Sequence, residues 1–245
     1  MIINGKQFSI FKEFKFIFYH LKYAGFFLLF KYIRCRIIEI FHLKNLEEKK
    51  YIQFVNKKKL KFTKDWFLSN LDIFSFYLRL KPKNILEIGT YEGLVAIWFC
   101  EQYLESDIYA VDPLIQDLST LKERVEEDQI NNLDSNLKIY GSKRLNFLKK
   151  TSDEFFIQNK INFDIVYIDG LHTFDACTKD MLNSFRVLNL NGYLLIDDLR
   201  LDVYPQNLNI VNAVSNFVKS YNNYIEIIFF GWNLIILKKI KIVNF

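Results

Sequence analysis

Glycine and proline are scarce in this chain, 8 and 3 of 245 residues, so few positions interrupt regular helix and strand. Cysteine is as sparse. Cys35, Cys100 and Cys177 are odd in number and widely spaced, with no CxxC or Cys/His pattern, which excludes a disulfide framework and a structural zinc. Free cysteines in apolar stretches read as small buried hydrophobes in a reducing, cytoplasmic setting. The start, MIINGKQFSIFKEF, lacks an apolar core followed by a small-residue cleavage site, so no secretory leader is expected. The longest apolar run of the N-terminal region, 23–30, falls far short of the ~20 residues that span a bilayer.

What is present is globular. Apolar residues make up 51% and charged residues 25%, which excludes collagen, a disordered tail and a multi-span membrane protein. Aromatics reach 17%, carried by 25 Phe and 14 Tyr, and much of the excess lies in the first third.

The net charge of +5 conceals a split. Residues 1–64 hold 15 Lys and Arg against 4 Glu, while 65–245 hold 18 Lys and Arg against 24 Asp and Glu. A basic, aromatic arm, 1–61, is therefore expected to precede a mildly acidic body, 62–245. Such asymmetry points to an anionic partner, a membrane surface or a nucleic acid. Within the arm, Lys15, Lys22 and Lys31 interrupt the apolar residues, and two helices breaking near Gly25 are expected, the second ending before Asn45. Two arrangements satisfy this pattern. The helices pack on the body and hide their Phe residues, or they lie on an anionic membrane with Lys and Arg reaching toward headgroups. The run Lys57-Lys58-Lys59-Leu60-Lys61 reads as a solvated hinge.

From residue 81 onward short apolar strands alternate with amphipathic helices. Strands are expected at 84–88, 107–111, 137–140, 163–168 and 192–196, with helices at 94–103, 118–127, 144–156, 174–187 and 208–221. The end reads as an antiparallel hairpin, 224–230 and 234–240, around Gly231-Trp232-Asn233. Continuous apolar strands separated by helices imply a parallel sheet covered on both faces. The fold class is thus a doubly wound α/β domain with a seven-stranded, mostly parallel sheet, a C-terminal hairpin and an N-terminal helical arm. In such sheets ligands bind beyond the carboxyl ends of the strands.

The first strand ends Leu86-Glu87-Ile88-Gly89-Thr90-Tyr91-Glu92-Gly93 and runs into a helix. Two glycines allow a sharp bend and a close approach to a ligand, and the helix start offers free N–H groups. The spacing is GxxxG, not the GxGxxG dinucleotide fingerprint, so a ligand with a carboxylate and a ribose fits as well as a pyrophosphate. Asp112 follows the second strand, 23 residues after Gly89, near the ~20-residue offset at which an acid meets ribose hydroxyls. Farther on, the fourth strand ends Asp169-Gly170-Leu171-His172 and the fifth ends Asp197-Asp198. Neighbouring strands bring these carboxylates together, where they repel unless a cation joins them or a proton is retained. Oxygen-rich groupings of this kind suit Mg2+ or a similar hard ion. His172 is the only histidine of the body, and its ordinary pKa suits a general base.

The segment from Glu87 to Gly93 resembles the first motif of class I S-adenosylmethionine-dependent methyltransferases, with Glu87, Gly89 and Gly93 matching its acid and glycines. Asp112 matches the acid that holds the cofactor ribose. Phe62-Thr63-Lys64-Asp65-Trp66-Phe67 is similar to the lead-in of the small-molecule subgroup catalogued as methyltransferase domain 24, and the resemblance covers roughly 62–240. It implies that Thr90 and Tyr91 line S-adenosylmethionine and that Ser142, placed after the third strand, sits near the adenine. The family usually carries an acid close to that position, where this chain reads Gly141-Ser142-Lys143. Metal-dependent O-methyltransferases of the catechol type place an acid and an acidic pair where Asp169, Asp197 and Asp198 stand, and the subgroup varies in its use of a metal. The function implied is O-methylation of a small hydroxylated acceptor such as a sugar, glycan or lipid-linked metabolite. Two alternatives remain open at this point: a nucleic-acid methyltransferase using the basic arm, and a membrane-surface adaptor that retains the fold without catalysis. Against the former, the Asn/Asp-Pro-Pro-aromatic motif of base N-methyltransferases is missing at the fourth strand end.

Overall fold

A computed structural model describes residues 2–3, 6–7, 25–42, 45–64, 66–114, 127–199, 208–231 and 233–243. In chain order the elements are β1 (Ile2–Ile3), β2 (Lys6–Gln7), α1 (Gly25–His42), α2 (Leu46–Lys58), a 3-10 turn (Trp66–Asn70) and α3 (Leu71–Tyr77). There follow β3 (Asn84–Ile88), α4 (Leu94–Gln102), β4 (Asp107–Val111), α5 (Glu127–Tyr140), β5 (Leu145–Leu148) and α6 (Ser152–Gln158). The chain continues through β6 (Phe163–Ile168), α7 (Phe174–Val187), β7 (Leu188–Ile196), α8 (Leu208–Ser220), β8 (Ile225–Phe230) and β9 (Ile235–Lys239).

The main sheet runs β5-β4-β3-β6-β7-β9-β8, parallel through β7 and antiparallel in its last two pairings. This is the expected doubly wound sheet with a closing hairpin. The central strands are apolar on both sides because helices cover both faces. Leu86, Ile88, Val166, Ile168, Leu194 and Ile196 meet α7 and α8 on one face, where Met181, Phe185, Val214 and Phe217 are buried. Ile85, Ile108, Ile165, Tyr167 and Leu195 meet α3 and α4 on the other, around Phe74, Trp98 and Phe99. Buried aliphatic and aromatic side chains of this size each contribute ~1.5–3 kcal/mol. Cys35, Cys100 and Cys177 are free and buried among them, as small hydrophobes.

One segment departs from the sequence reading. Residues 137–140 are not the third strand; they are the last turn of α5, and the strand is Leu145–Leu148. The alternation in Leu-Lys-Ile-Tyr imitates a strand, but Leu133 and Asn136 are fully buried one helical turn apart. Gly141 at φ 64 then ends the helix, its N–H donating to the Leu137 carbonyl. The helix expected over 144–156 is only Ser152–Gln158, started by a Thr151–Glu154 capping box. The helix expected at 118–127 falls outside the described residues, apart from Glu127.

The N-terminal region also packs closely. Tyr32 of α1 meets Phe230 edge-on at 5.9 Å. Tyr51 of α2 stacks on Phe54 and donates from its hydroxyl to the Leu94 carbonyl at 2.7 Å. Asp72 caps α2 from a distance, accepting the Leu46 N–H at 2.9 Å. The lysine run is not a free hinge. Lys57 and Lys58 finish α2, Leu60 is buried, and both backbone groups of Lys61 are bonded to the Asn136 side chain at 2.8 and 2.7 Å. No described helix is long and apolar enough to cross a membrane.

Candidate active site

Four strand ends are stitched side by side. The Gly89 N–H donates to Val111 at 2.9 Å, the Asp169 N–H to Ile88 at 2.8 Å, and the Asp197 N–H to Ile168 at 3.0 Å. The glycine bend, Asp169 and Asp197 therefore occupy the carboxyl end of the central strands. Gly89 has φ 88, and a Cβ there would stand 1.9 Å from the Asp169 carbonyl oxygen. Only glycine lets these two strand ends touch.

Within the bend, Tyr91 and Gly93 also take positive φ, at 50° and 84°. Asp112 at the tip of β4 holds the bend from the side. Its Oδ2 accepts the Thr90 and Tyr91 N–H groups at 3.0 Å each, and its Oδ1 accepts from Leu114 at 2.8 Å. Glu87 lies beneath, completely buried, with no hydrogen bond of ordinary length to its carboxylate oxygens, although the nearby Thr90 hydroxyl offsets part of the burial cost. Burial drives the Glu87 carboxyl well above the usual carboxylate range, and the Asp169 charge adds to it. A buried carboxylate without a donor costs several kcal/mol unless it is protonated or meets a cation.

A second layer ties the lead-in to this bend. Glu92 is buried, accepting the Thr63 N–H at 2.6 Å and the Asn132 amide at 2.8 Å. The Asn136 amide reaches the Glu92 carbonyl at 3.0 Å, and the Thr63 hydroxyl lies 3.1 Å from the Tyr91 hydroxyl. Neither Glu92 nor Asn136 stood out in the sequence, although a glutamate between two glycines of a buried turn was the available signal.

The acids divide into two kinds. Asp169, His172 and Asp198 form an open cluster in which one atom from each lies within 4.8 Å of the others. His172 Nε2 is 3.0 Å from Asp198 Oδ2 and 3.9 Å from Asp169 Oδ1. Burial alone would lower the His172 pKa, but the bonds and charges of Asp169 and Asp198 prevail and push it up to about 11. Burial pushes the Asp169 carboxyl up, while its bond to His172 pulls it back.

Asp197 stands apart from this cluster. Its Oδ2 accepts from the Tyr167 hydroxyl and, at 2.9 Å, from the Asn70 amide. Its Oδ1 accepts from the Asn233 amide and from the Asp198 N–H at 2.8 Å. Four donors use its lone pairs, so Asp197 does not join Asp169 and Asp198 as the expected metal set placed it; His172 does. Tyr167 is the residue that the sequence reading missed. It lies two residues before Asp169, on the same side of β6, and its hydroxyl also lies 3.3 Å from Asp169 Oδ2.

Ser142 is likewise corrected. It precedes β5 instead of following it, at the amino end of the sheet, where its hydroxyl accepts the Arg144 N–H at 3.2 Å. The same Arg144 binds the Tyr103 and Ser106 carbonyls at 2.9 and 3.0 Å. A cofactor over the glycine bend lies at the opposite end.

A family model described as Methyltransferase domain matches residues 86–199, which run from β3 to the residues after β7. No curated protein matches the chain in sequence. Among solved structures, the Bacillus cereus O-methyltransferase in complex with SAH shares the fold at TM-score 0.54 and 12% identity, over 87% of this chain and 100% of that one. The SAH-bound methyltransferase PaMTH1 of Podospora anserina gives 0.54 and 15%, over 78% and 88%. An rRNA methylase from Streptococcus thermophilus gives 0.52 and 12%, over 74% and 100%. The stitched strand ends, the glycine bend and the domain match converge: residues 86–199 match a methyltransferase domain, on a fold shared with SAH-bound methyltransferases.

Proposed function

We propose that this methyltransferase moves the sulfonium methyl of S-adenosylmethionine to a hydroxyl of a small acceptor, a sugar, glycan or lipid-linked metabolite, seated over Asp169, His172 and Asp198. The observation that carries this reading is the hydrogen-bonded succession of Gly89, Asp169 and Asp197, which puts the glycine bend beside an open carboxylate–imidazole cluster.

In this reading Gly89, Thr90, Tyr91 and Gly93 line the cofactor. Glu87, buried directly beneath the bend, supplies a carboxyl on the side where the cofactor's ammonium group would sit. Asp112 takes the ribose hydroxyls with the lone pairs that its backbone bonds leave free. The acceptor oxygen attacks the methyl carbon, the C–S bond breaks with its electron pair going to sulfur, and the hydroxyl proton passes to Asp169. Much of the acceleration comes from alignment. In this reading His172, expected from the sequence as a general base, is held protonated by Asp169 and Asp198 and positions Asp169 instead. Its charge, 3.9 Å from Asp169, opposes the burial that raises that carboxyl and so favours the form that receives the proton.

The donor set also fits a divalent cation such as Mg2+. Asp169 and Asp198 would each give an oxygen and His172 a nitrogen, which requires the imidazole to lose its proton. A cation bound there would lower the pKa of the acceptor hydroxyl.

Titration calorimetry of the full chain with S-adenosylhomocysteine tests the cofactor site. Asp112→Ala should weaken binding about tenfold, a loss of ~1.4 kcal/mol. No binding, or binding unchanged by the substitution, refutes the reading. Transfer of a labelled methyl group to a panel of catechols and sugars then tests the acceptor class.

A further inference from the structure

Helix α1 has two unlike faces. Tyr32 and Cys35 are buried against the β8 side of the domain. Phe30, Ile33 and Ile37 point away from it, with exposures of 69%, 39% and 51%. At about 100° per residue these three fall within an arc of roughly 60°. Arg34, exposed, lies beside that arc, and Lys31 and Arg36 lie on its two flanks. The only acid of the helix, Glu39, is paired with Arg36. The outer face is therefore an apolar stripe bordered by cations, in a region, 1–64, with 15 Lys and Arg against 4 Glu.

That combination selects among occupants. A nucleic acid would use the cations and leave three large apolar side chains in water. A second copy meeting face to face would crowd the flanking cations of both helices, Lys31 and Arg34 of each, along one seam, while the helix's one acid, Glu39, is already paired with Arg36. A bilayer with anionic headgroups satisfies both parts, because acyl chains take the apolar stripe and headgroups take the Lys and Arg ends. The helix is not apolar enough to cross, so it would lie in the surface plane.

We propose that α1 is a membrane-surface helix, seating Phe30, Ile33 and Ile37 in the outer acyl region of an anionic bilayer while Lys31 and Arg34 meet its headgroups. The packed inner face and the lipid-facing outer face are compatible, so the helix joins the methyltransferase domain to the membrane without unfolding from it.

The test is co-sedimentation of the full chain with vesicles of phosphatidylcholine, with and without phosphatidylglycerol. Binding should require phosphatidylglycerol, weaken as salt rises, and fall about tenfold or more in a Phe30→Ser, Ile33→Ser, Ile37→Ser variant. Unchanged S-adenosylhomocysteine affinity in that variant shows that the domain is intact, and a Lys31→Glu, Arg34→Glu variant gives a second, charge-based reading. The proposal is overturned by absence of vesicle binding, by equal binding to pure phosphatidylcholine, or by binding that survives the serine substitutions. It is equally overturned if the exposed stripe proves to drive a concentration-dependent dimer in place of vesicle binding.

Discussion

His172 Nε2 stands 3.0 Å from Asp198 Oδ2, so one ion pair bridges the segments that follow β6 and β7. Asp198 reaches this position through a left-handed backbone at φ 59, which turns its side chain away from that of its neighbour Asp197. Two adjacent aspartates thereby acquire different tasks. One faces the open cluster, and the other is consumed by internal donors.

Replacing His172 by Gln should lower methyl transfer by about 100-fold while S-adenosylhomocysteine affinity stays within about threefold, since proton acceptance by Asp169, which His172 positions, contributes ~10²–10⁴ in rate. Initial rates with any acceptor found active, beside calorimetry, provide the comparison. A parallel loss of cofactor affinity would mean that His172 shapes the cofactor site instead.

Asp197→Asn should cost about 2–4 kcal/mol, because an amide presents N–H to donors now accepted by a carboxylate oxygen. Its four donors come from Asn70, Tyr167, Asp198 and Asn233, so the loss loosens the 3-10 turn, β6 and the β8–β9 hairpin together. Asp198→Asn, on a group that is partly open to water, should cost less than about 1 kcal/mol. Urea unfolding of both variants measures the difference, and equal costs would contradict the division of roles.

Glu92→Ala should weaken S-adenosylhomocysteine binding about tenfold, with Glu92→Gln recovering part of the loss, since one glutamine oxygen still accepts the Thr63 N–H. The buried glutamate holds the lead-in against the bend that carries Tyr91. Wild-type affinity in the Ala variant would show that this strap is merely structural.

Asp180 gives a pH dependence of stability. Burial pushes its carboxyl up to about 6, with Asp153 adding to it and Ser152 and Lys179 opposing. A carboxyl whose folded pKa exceeds its unfolded value binds more protons when folded. Stability therefore falls as pH rises from ~4 through about 6, by up to roughly 3 kcal/mol at 1.36 per pKa unit. Asp180→Asn should remove that slope, stabilising the protein at pH 7 and changing little at pH 4. Thermal melts across this range will decide, and an unchanged slope would rule Asp180 out as its source.

The parallel core was legible because its strands are continuous apolar runs that need both faces covered, and no other layering satisfies 84–88, 107–111 and 163–168. The error at 137–140 came from a four-residue alternation at the end of a helix, where short windows do not separate periods of 2 and 3.6. Gly141 and the Thr151–Glu154 capping box were the better punctuation. Ser142 moved to the wrong end of the sheet as a direct consequence.

The sequence alone determined the doubly wound sheet, the glycine bend and the acids at the strand tips, because hydrophobic period and turn chemistry are local properties of the chain. Which acids work together was set by contacts between residues far apart along the chain. Whether Asp197 or Asp198 faces the cluster depends on donors from Asn70 and Asn233, far away in sequence, and on one left-handed residue that no composition or spacing reveals.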